Sequence, residues 1–501
     1  MISLLVAACA QQPRETEEER VARERLQLLS DNAQDAKQRL GQFLSQAHDS
    51  LPADRQVHGY YAGGGEWLWV TPDTARLLYA ADTLAGFLAR KAVSIGLAQE
   101  AFLVPQIRQD IFHFRSLDFD STGVSPIDAM ARLELNLSRA FVRCAMGLRY
   151  GFVNPHLALN HTDQRSGGGY RQVYDIELEQ PSDLFAQEAL SHVDSPFDFI
   201  DGQEPSDTAY QFLRQRLSAD TTQAGRRLAI CNMERHRWRH KERVDGRQVF
   251  VNIPSQQLWA IAPDSVFSMK ICCGAWATKT PLLASRVRLI QLNPEWNIPF
   301  SIMCNEVSRH AGDPDYFARH RYFIIKNSTG DTISPRQVTA EELCKGGYRV
   351  TQRSGAGNSL GRIIFRFPNK FDVYLHDTNN RNAFNAERRT VSHGCVRVER
   401  PFDLAEFLLP EADEWLLDRM RMTIDLPPKY DRGKEYLQQR QESGEEGPIR
   451  FMSSQGVSPQ VPVVIDYYTL CPNPETGVWE TWRDRYEYDD KIMKCLAKWP
   501  D

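Results

Sequence analysis

The chain has 501 residues, which is more than one ordinary domain needs and enough for two or three. Its hydrophobic fraction of 42% and charged fraction of 25% are typical of globular proteins. A net charge of -5 leaves no basic excess, so we expect no nucleic-acid partner. No apolar run approaches the roughly 20 residues that a membrane-spanning helix needs.

Residues 1–20 are predicted to be a signal-like segment followed by a tether. The apolar run MISLLVAACA ends just after Cys9, and the charged stretch QQPRETEEER follows it. The letters VAAC at 6–9 resemble a bacterial lipobox, whose cysteine is lipidated after signal cleavage. The basic start of an ordinary signal peptide is missing, so the segment could equally be the fringe of a helix. A lipid on Cys9 would anchor the chain to a membrane surface, and we expect no other membrane contact.

Residues 21–245 are predicted to form a helical scaffold domain. The stretch at 73–97 has the composition of a good helix former. A clearer signal comes from Leu133, Leu137, Phe141, Cys144 and Leu148, whose steps of three and four place one apolar stripe on a helix. We interpret this stripe as core packing, not as a cofactor site.

Residues 246–435 are predicted to form a second domain, rich in β-strands. RQVFVNIP at 247–254, RIIFRF at 362–367 and DVYLH at 372–376 have strand-like composition. Residues 436–460 carry Gly, Ser, Glu and Pro and predict a loop or linker. The strand-like VPVVIDYYTL begins a C-terminal strand segment, 461–501, expected to pack on the second domain. The fold class is therefore α+β.

The cysteines and histidines predict no metal site. The ten cysteines contain no CxxC pair, so a structural zinc site is not expected. His236 and His240 have the spacing of one helix face, but a third ligand is not evident. The vicinal Cys272 and Cys273 are better explained as small buried apolar residues than as a redox pair. Disulfide pairing stays open.

The segment SHGCVRVER at 392–400 predicts a nucleophilic thiol at Cys395. A thiol needs a base or a positive neighbour to become a nucleophile, and His376 and His393 are candidates. Gly394 allows a close backbone approach or a positive φ, which would leave the amides of Gly394 and Cys395 free to hold an oxyanion. The alternative is a buried apolar cysteine beside a structural histidine.

The sequence around this pair resembles a known family. HDTNNRNAFNAERRTVSHGCVRVE at 376–399 resembles the active-site segment of the L,D-transpeptidases, the YkuD domain, whose motif is a histidine followed at a fixed interval by S/T-HGC. NMERHRW at 232–238, LNPEWNIP at 292–299 and GNSLGRIIFRFPN at 357–369 are similar to its large YcbB-like branch. The resemblance covers 226–490 and, more weakly, 148–156.

The resemblance implies a peptidoglycan L,D-transpeptidase. Cys395 would attack the bond between the third and fourth residues of a stem tetrapeptide, release D-alanine and form a thioester. The side-chain amine of a diaminopimelate-type acceptor stem would then give a 3→3 cross-link. No cofactor is needed, because thiol and histidine suffice. The family further implies a place in the periplasm or cell envelope, roles in cell-wall biogenesis and cell shape, cell-wall synthesis proteins as further partners, and acylation of Cys395 by carbapenems.

The resemblance also implies roles for the neighbouring residues. His376 would take the thiol proton, and the carbonyl of Asp377 would orient its imidazole. His393 would line the donor side of the cleft, and Tyr374 would help to hold the oxyanion.

Two further residues are expected to lie beside the substrate. Arg397 could pair with a substrate carboxylate, or it could make a structural ion pair with Glu399 or Asp403. Ser392 is better explained as a turn residue than as a proton donor.

By the family pattern, residues 303–350 are predicted to be an insertion that caps the cleft as a lid. Closure would exclude water and favour transfer to an amine over hydrolysis. The rival functions are an L,D-carboxypeptidase that uses water, transfer of the stem to a protein lysine, and a catalytically silent wall-binding protein. The complete set of His376, His393, Gly394 and Cys395 argues against the silent protein, and the signatures of secreted cysteine proteases are missing.

Overall fold

A computed structural model describes residues 15–31, 33–47, 49–71, 76–116, 123–164, 168–242 and 246–499. Cys9 and the predicted lipobox lie outside the described residues. The described chain divides into two compact units. Unit 1 comprises the residues up to 154, together with 179–239 and the stretch from 489, and unit 2 comprises 155–178 and 240–488.

The helices are labelled in chain order: α1 (Glu17–Asp31), α2 (Ala33–Gln46), α3 (Pro52–Ala62), α4 (Tyr79–Ile95), α5 (Val104–Ser116), α6 (Pro126–Tyr150), α7 (Pro155–Asn160), α8 (Phe185–Leu190), α9 (Pro196–Gln203), α10 (Thr208–Ala219), α11 (Gln223–Arg237), α12 (Phe300–Asn305), α13 (Pro314–Arg319), α14 (Ala340–Leu343), α15 (Pro401–Leu408), α16 (Glu414–Thr423), α17 (Asp431–Glu442) and α18 (Tyr488–Lys498).

The strands are labelled in the same way: β1 (Val70–Thr71), β2 (Arg76–Leu77), β3 (Tyr174–Asp175), β4 (Gln248–Asn252), β5 (Gln257–Ala262), β6 (Ser265–Gly274), β7 (Leu282–Leu292), β8 (Trp296–Asn297), β9 (Tyr322–Lys326), β10 (Thr332–Ile333), β11 (Tyr348–Gln352), β12 (Ile363–Arg366), β13 (Leu375–His376), β14 (Thr390–Ser392), β15 (Val396–Val398), β16 (Ser454–Asp466), β17 (Leu470–Pro472) and β18 (Trp479–Thr481).

Unit 1 is built around the long helix α6. Leu133, Leu137, Phe141, Cys144 and Leu148 are each fully buried, as the apolar stripe predicts. Helices α2, α3, α5 and α9 pack against α6. The stripe is therefore core, and the helical character predicted for this part of the chain is confirmed.

Unit 2 is built around a sheet that closes on itself. Its strands follow the order β12-β13-β15-β6-β5-β4-β16-β7-β3, and β12 also pairs with β7. The long strand β16 lies between β4 and β7. It pairs with β4 in parallel orientation and with β7 in antiparallel orientation. Val249, Val251 and Val463 are fully buried, so these strands are core elements. A helical unit and a mainly β unit make the predicted α+β fold.

The residues predicted as a lid fold around a core of their own. Strands β10, β9, β11 and β8 form a separate four-stranded sheet in that order. Helices α12 to α14 lie in the same stretch. One apolar cluster joins these elements: Ile298, Met303, Val307, Phe317, Ile324, Val338, Leu343 and Val350. We call the stretch 296–352 the insertion.

Three predicted boundaries differ from the structure. Residues 155–178, predicted within the scaffold, belong to unit 2, where β3 pairs with β7. The predicted linker 436–460 contains the end of α17 and the start of β16. The predicted C-terminal strand segment ends in α18, which after Tyr488 belongs to unit 1. Sequence composition missed these features because the partners that order the segments are distant in the chain.

Among the described residues we find no helix whose length and apolar character would suffice to cross a bilayer. The same residues contain no group of three or more His, Cys, Asp or Glu side chains arranged to hold a metal ion.

Candidate active site

Two short parallel strands bring the predicted catalytic residues together. In β13 and β15, Leu375 pairs with Val396 and His376 pairs with Arg397. Paired residues of neighbouring strands project to the same face, and successive residues alternate between faces. Leu375 and Val396 are fully buried on one face. His376 and Arg397 therefore share the other face.

Tyr374 and Cys395 immediately precede Leu375 and Val396. By the same alternation, their side chains lie on the face of His376 and Arg397. The amide of Val396 donates a hydrogen bond of 3.1 Å to the carbonyl of Tyr374, which brings the two backbones together there. The ring centroids of Tyr374 and His376 lie 5.7 Å apart at an interplanar angle of 68°. The thiol, the phenol, the imidazole and the guanidinium thus form one cluster.

The turn before Cys395 is held in a conformation that suits glycine. Gly394 has a φ of 123°, a backbone conformation that residues other than glycine rarely adopt. The hydroxyl of Thr280 donates a 2.8 Å bond to the carbonyl of Gly394, and that of Thr278 donates a 2.8 Å bond to the carbonyl of Ser392. The Ser392 hydroxyl donates to the carbonyl of Cys395 at 2.5 Å, so Ser392 lies in the turn.

One expected oxyanion donor is already engaged. The amide of Gly394 donates a 3.2 Å hydrogen bond to the hydroxyl of Ser392. The expectation that this amide is free to hold an oxyanion is therefore wrong. The physical reason is the tight turn, which points this amide back at the preceding hydroxyl. The amide of Cys395 and the phenol of Tyr374 remain as candidate oxyanion donors.

The thiol of Cys395 is held mainly in its neutral form. Burial raises its pKa to about 11, and the negative charge of Asp372 acts in the same direction. The thiol also donates a long hydrogen bond of 3.9 Å to the backbone carbonyl of Asp372. The amide and hydroxyl of Tyr374 and the charge of Arg397 act in the opposite direction. The same burial, together with Cys395, raises the pKa of Tyr374.

His376 is held in its neutral form as well. The imidazole is only 4% exposed, and burial followed by the charge of Arg397 lowers its pKa to about 3. The backbone of Asp377 and of Leu360 opposes this shift. Nδ1 is buried and meets no partner at full hydrogen-bond geometry in the described part of the chain, so the orientation of the imidazole by the Asp377 carbonyl stays a prediction.

The side chain of Asp377 holds the neighbouring backbone in place. Its carboxylate accepts bonds of 2.8 Å from the amide of Arg362 and from the guanidinium of Arg381. Gly361 makes room for it, because a Cβ at that position would lie 2.3 Å from the Asp377 carboxyl carbon. These contacts fix the chain directly after His376.

Arg397 does not form either of the structural ion pairs weighed from the sequence. Asp403 pairs with Arg400 at 3.2 Å, and Glu399 accepts a bond from the amide of Lys270 at 3.1 Å. Nε of Arg397 is buried without a hydrogen-bond partner among the described residues. A buried unsatisfied donor on a charged group is costly, and Arg397 as a whole is half-buried, so its guanidinium suits an anionic ligand.

His393 connects the turn to the insertion. Its Nε2 lies 2.9 Å from Oε1 of Glu306, which directly follows α12. Both side chains are about half exposed. The insertion therefore reaches the edge of the cluster around Cys395.

Residues 246–425 match the family model of YkuD, described as the L,D-transpeptidase catalytic domain. The chain carries a YkuD catalytic domain. Residues 55–217 match the model of the Scaffold domain. The chain is also 36% identical over 167 residues to a protein of Haemophilus influenzae (strain ATCC 51907 / DSM 11121 / KW20 / Rd) named "Putative L,D-transpeptidase". This match covers 33% of the chain and 34% of that protein, so the chain spans about a third of the length of the curated relative.

The YkuD domain contains every residue predicted for the site. The resemblance to the family is confirmed by these two matches, while the YcbB-like branch stays a prediction. Cys395, His376, Tyr374 and Arg397 form the cluster described above, and His393 lies at its exposed edge.

Sequence reasoning missed the residues that hold the YkuD site in shape. Thr278 and Thr280 bind the nucleophile turn, but they lie more than a hundred residues before it and carry no motif of their own. Glu306 belongs to the insertion, where the family pattern gave no residue to look for.

Proposed function

We propose that this chain is a peptidoglycan L,D-transpeptidase that forms 3→3 cross-links through a thioester on Cys395. The observation that carries the proposal is the cluster in the YkuD domain, where the Cys395 turn lies beside neutral, buried His376 on one sheet face. A stem tetrapeptide is the donor, and D-alanine is its leaving group.

Acylation begins with a neutral thiol and a neutral imidazole. The Cys395 proton passes to His376 as sulfur attacks the carbonyl carbon, because a thiolate is not formed beforehand at a pKa of about 11. The amide of Cys395 and the hydroxyl of Tyr374 stabilise the oxyanion. The imidazolium then gives its proton to the leaving amine of D-alanine, and the thioester remains.

The environment of His376 favours that second proton transfer. Burial and the charge of Arg397 make an imidazolium at this position a strong acid, which returns its proton quickly to a departing amine. The acceptor amine is deprotonated by the same imidazole when it attacks the thioester. The thiolate that leaves recovers its proton from the imidazolium.

Arg397 is proposed to bind a carboxylate of the stem peptide. Its buried Nε lacks a partner in the described residues, and a guanidinium matches a carboxylate bidentately. A carboxylate bound there would also offset the positive charge near His376 and ease its protonation during attack.

The insertion is proposed to act as a lid that favours transfer to an amine over hydrolysis. It has its own core, and Glu306 contacts His393 at the site. A cover that excludes water lengthens the lifetime of the thioester until an amine arrives.

The proposed setting is the periplasm or cell envelope, with a lipid anchor at Cys9 and other cell-wall synthesis proteins as partners. The same setting includes roles in cell shape and the acylation of Cys395 by carbapenems. Membership of the YcbB-like branch belongs with these proposals.

Product analysis tests the proposal. The protein, starting after Cys9, is incubated with purified disaccharide-tetrapeptide muropeptides, beside Cys395→Ala and the control Cys495→Ala. A dimer that lacks one D-alanine, formed by the wild type and the control alone, supports 3→3 transfer through Cys395.

The rival functions give different products. Tripeptide without dimer would indicate an L,D-carboxypeptidase, in which water resolves the thioester. Unchanged donor in every sample would favour a silent wall-binding protein and contradict the proposal.

A further inference from the structure

The insertion brings together two cysteines that lie near its two ends. Met303 and Leu343 are 2% and 0% exposed and belong to the same apolar cluster. The residues that follow them are Cys304, within α12, and Cys344, directly after α14. Because their predecessors pack into one core, both cysteines lie next to that core.

The two thiols are near neighbours on packed helices. Helices α12 and α14 pack against each other, and the side chains of Cys304 and Cys344 are within hydrogen-bonding reach. Both residues are half-buried, so a small disulfide reagent can reach them. A disulfide requires Cβ atoms about 3.5–4.5 Å apart, so the pair needs at most a small side-chain adjustment if the helices keep their places.

The other neighbouring cysteines lack this arrangement. Cys272 and Cys273 are successive residues of strand β6, so their side chains project to opposite faces of the sheet. Both are fully buried. They serve as a built-in comparison for the pair in the insertion.

We propose that Cys304 and Cys344 are a disulfide site, which staples the two ends of the insertion when the chain meets a disulfide-exchange oxidant. The oxidant is a small-molecule disulfide or an oxidoreductase in its disulfide form. That the chain meets one in the cell rests on the proposed export to the envelope.

The chemistry needs two exchange steps. One of the two thiolates attacks one sulfur of the oxidant, forms a mixed disulfide and releases the first oxidant thiol. The other thiolate then attacks the protein sulfur of the mixed disulfide and releases the second oxidant thiol. The oxidant gains two electrons, and two protons leave the protein thiols.

The disulfide would restrain the part of the insertion that reaches the active site. Glu306, which contacts His393, comes two residues after Cys304. Joining α12 to α14 therefore holds the Glu306 segment against the insertion core. We expect the oxidised form to open more rarely at this edge than the reduced form.

Peptide mapping tests the disulfide directly. The folded protein is treated with oxidised glutathione, its remaining thiols are blocked, and it is digested with trypsin without reductant. Residues 289–309 and 337–345 should appear as one linked species, lighter than the two free peptides by two hydrogen atoms. Added reductant should restore the separate peptides.

Two variants sharpen the result. In Cys344→Ser, the 289–309 peptide should carry glutathione or a free thiol, because its partner is gone. Cys272→Ser is the control and should leave the link intact. Free or singly glutathionylated Cys304 and Cys344 in the folded wild type would overturn the proposal, as would a link from either residue to another cysteine. None of these readouts depends on transpeptidase activity, so this proposal and the proposed function can fail separately.

Hydrogen exchange tests the consequence. Amides of α12, α14 and the strands between them should show opening at least about 30-fold rarer in the oxidised than in the reduced protein, at the low end of what disulfides contribute. Equal exchange in the two forms would overturn the claim that the staple restrains the insertion.

Discussion

The ionisation state of Cys395 can be tested by removing one hydroxyl. Tyr374→Phe deletes the hydroxyl that lowers the pKa of the thiol but keeps the ring beside His376. The wild-type pKa is about 11, set mainly by burial. Without the phenol, the thiolate loses a hydrogen bond, and the pKa should rise further.

The size of the effect follows from the bond that is lost. A hydrogen bond to a charged group contributes about 1.5–3 kcal/mol, which corresponds to roughly one to two pKa units. The thiolate fraction at pH 8 should therefore fall roughly 10- to 100-fold. A thiolate of higher pKa is a better nucleophile, with a Brønsted coefficient of about 0.4–0.5, which offsets about half of this loss on a logarithmic scale. We expect alkylation to be roughly 3- to 10-fold slower.

The assay is the rate of alkylation of Cys395 by iodoacetamide, followed by mass spectrometry of the tryptic peptide 390–397. In the wild type, the rate should rise about tenfold per pH unit from pH 6 to pH 10 without a plateau. Tyr430→Phe, outside the matched YkuD residues, is the control and should behave as the wild type. A plateau near pH 7 would show a preformed thiolate and refute the neutral-pair reasoning.

Four further substitutions follow from the site. His376→Asn should reduce the acid sensitivity of folding. The imidazole pKa is lower in the fold, at about 3, than its ordinary value of 6.5, so its contribution to stability is complete above pH 6.5 and is lost as the pH falls towards 3. Denaturant unfolding should show the wild type losing about 2 kcal/mol more than the variant between pH 7 and pH 5. Gly394→Ala should cost about 1–3 kcal/mol, seen in the same unfolding assay, because its φ is 123°. Thr280→Val leaves the amide of Gly274 without its acceptor and frees the Gly394 carbonyl; product assays should show transfer at least about 10-fold slower, and an unchanged rate would contradict the positional role. Glu306→Gln should change unfolding by less than about 1 kcal/mol, because its bond to a histidine is half exposed, yet it should raise the tripeptide-to-dimer ratio; an unchanged ratio would argue against the lid.

The sequence was most informative where the determinants are local. The apolar stripe of α6 repeats every three or four residues, so its buried face could be predicted from Leu133 to Leu148. The histidine, glycine and cysteine of the nucleophile turn are contiguous, and the fold brings His376 to them through the pairing of β13 with β15. Family resemblance supplied the assignment of roles that spacing alone left open.

The sequence was least informative where long-range contacts decide. Composition predicted a linker at 436–460, but β16 begins inside it because β7 offers Gln291 and Ile290 as pairing partners. The Gly394 amide was expected to be free, yet the turn directs it to Ser392. Sequence left a substrate role and an ion pair open for Arg397. The structure pairs Asp403 with Arg400, a contact that the sequence did not predict.

The covalent intermediate is the central claim, and its mass tests it most directly. The protein is mixed with a tetrapeptide donor in the absence of an acceptor amine, quenched in acid, and measured intact and after digestion. We predict an adduct equal to the donor minus D-alanine, on peptide 390–397, that hydroxylamine removes and that Cys395→Ala does not form. An adduct on another residue, or product formation by Cys395→Ala, would contradict the account.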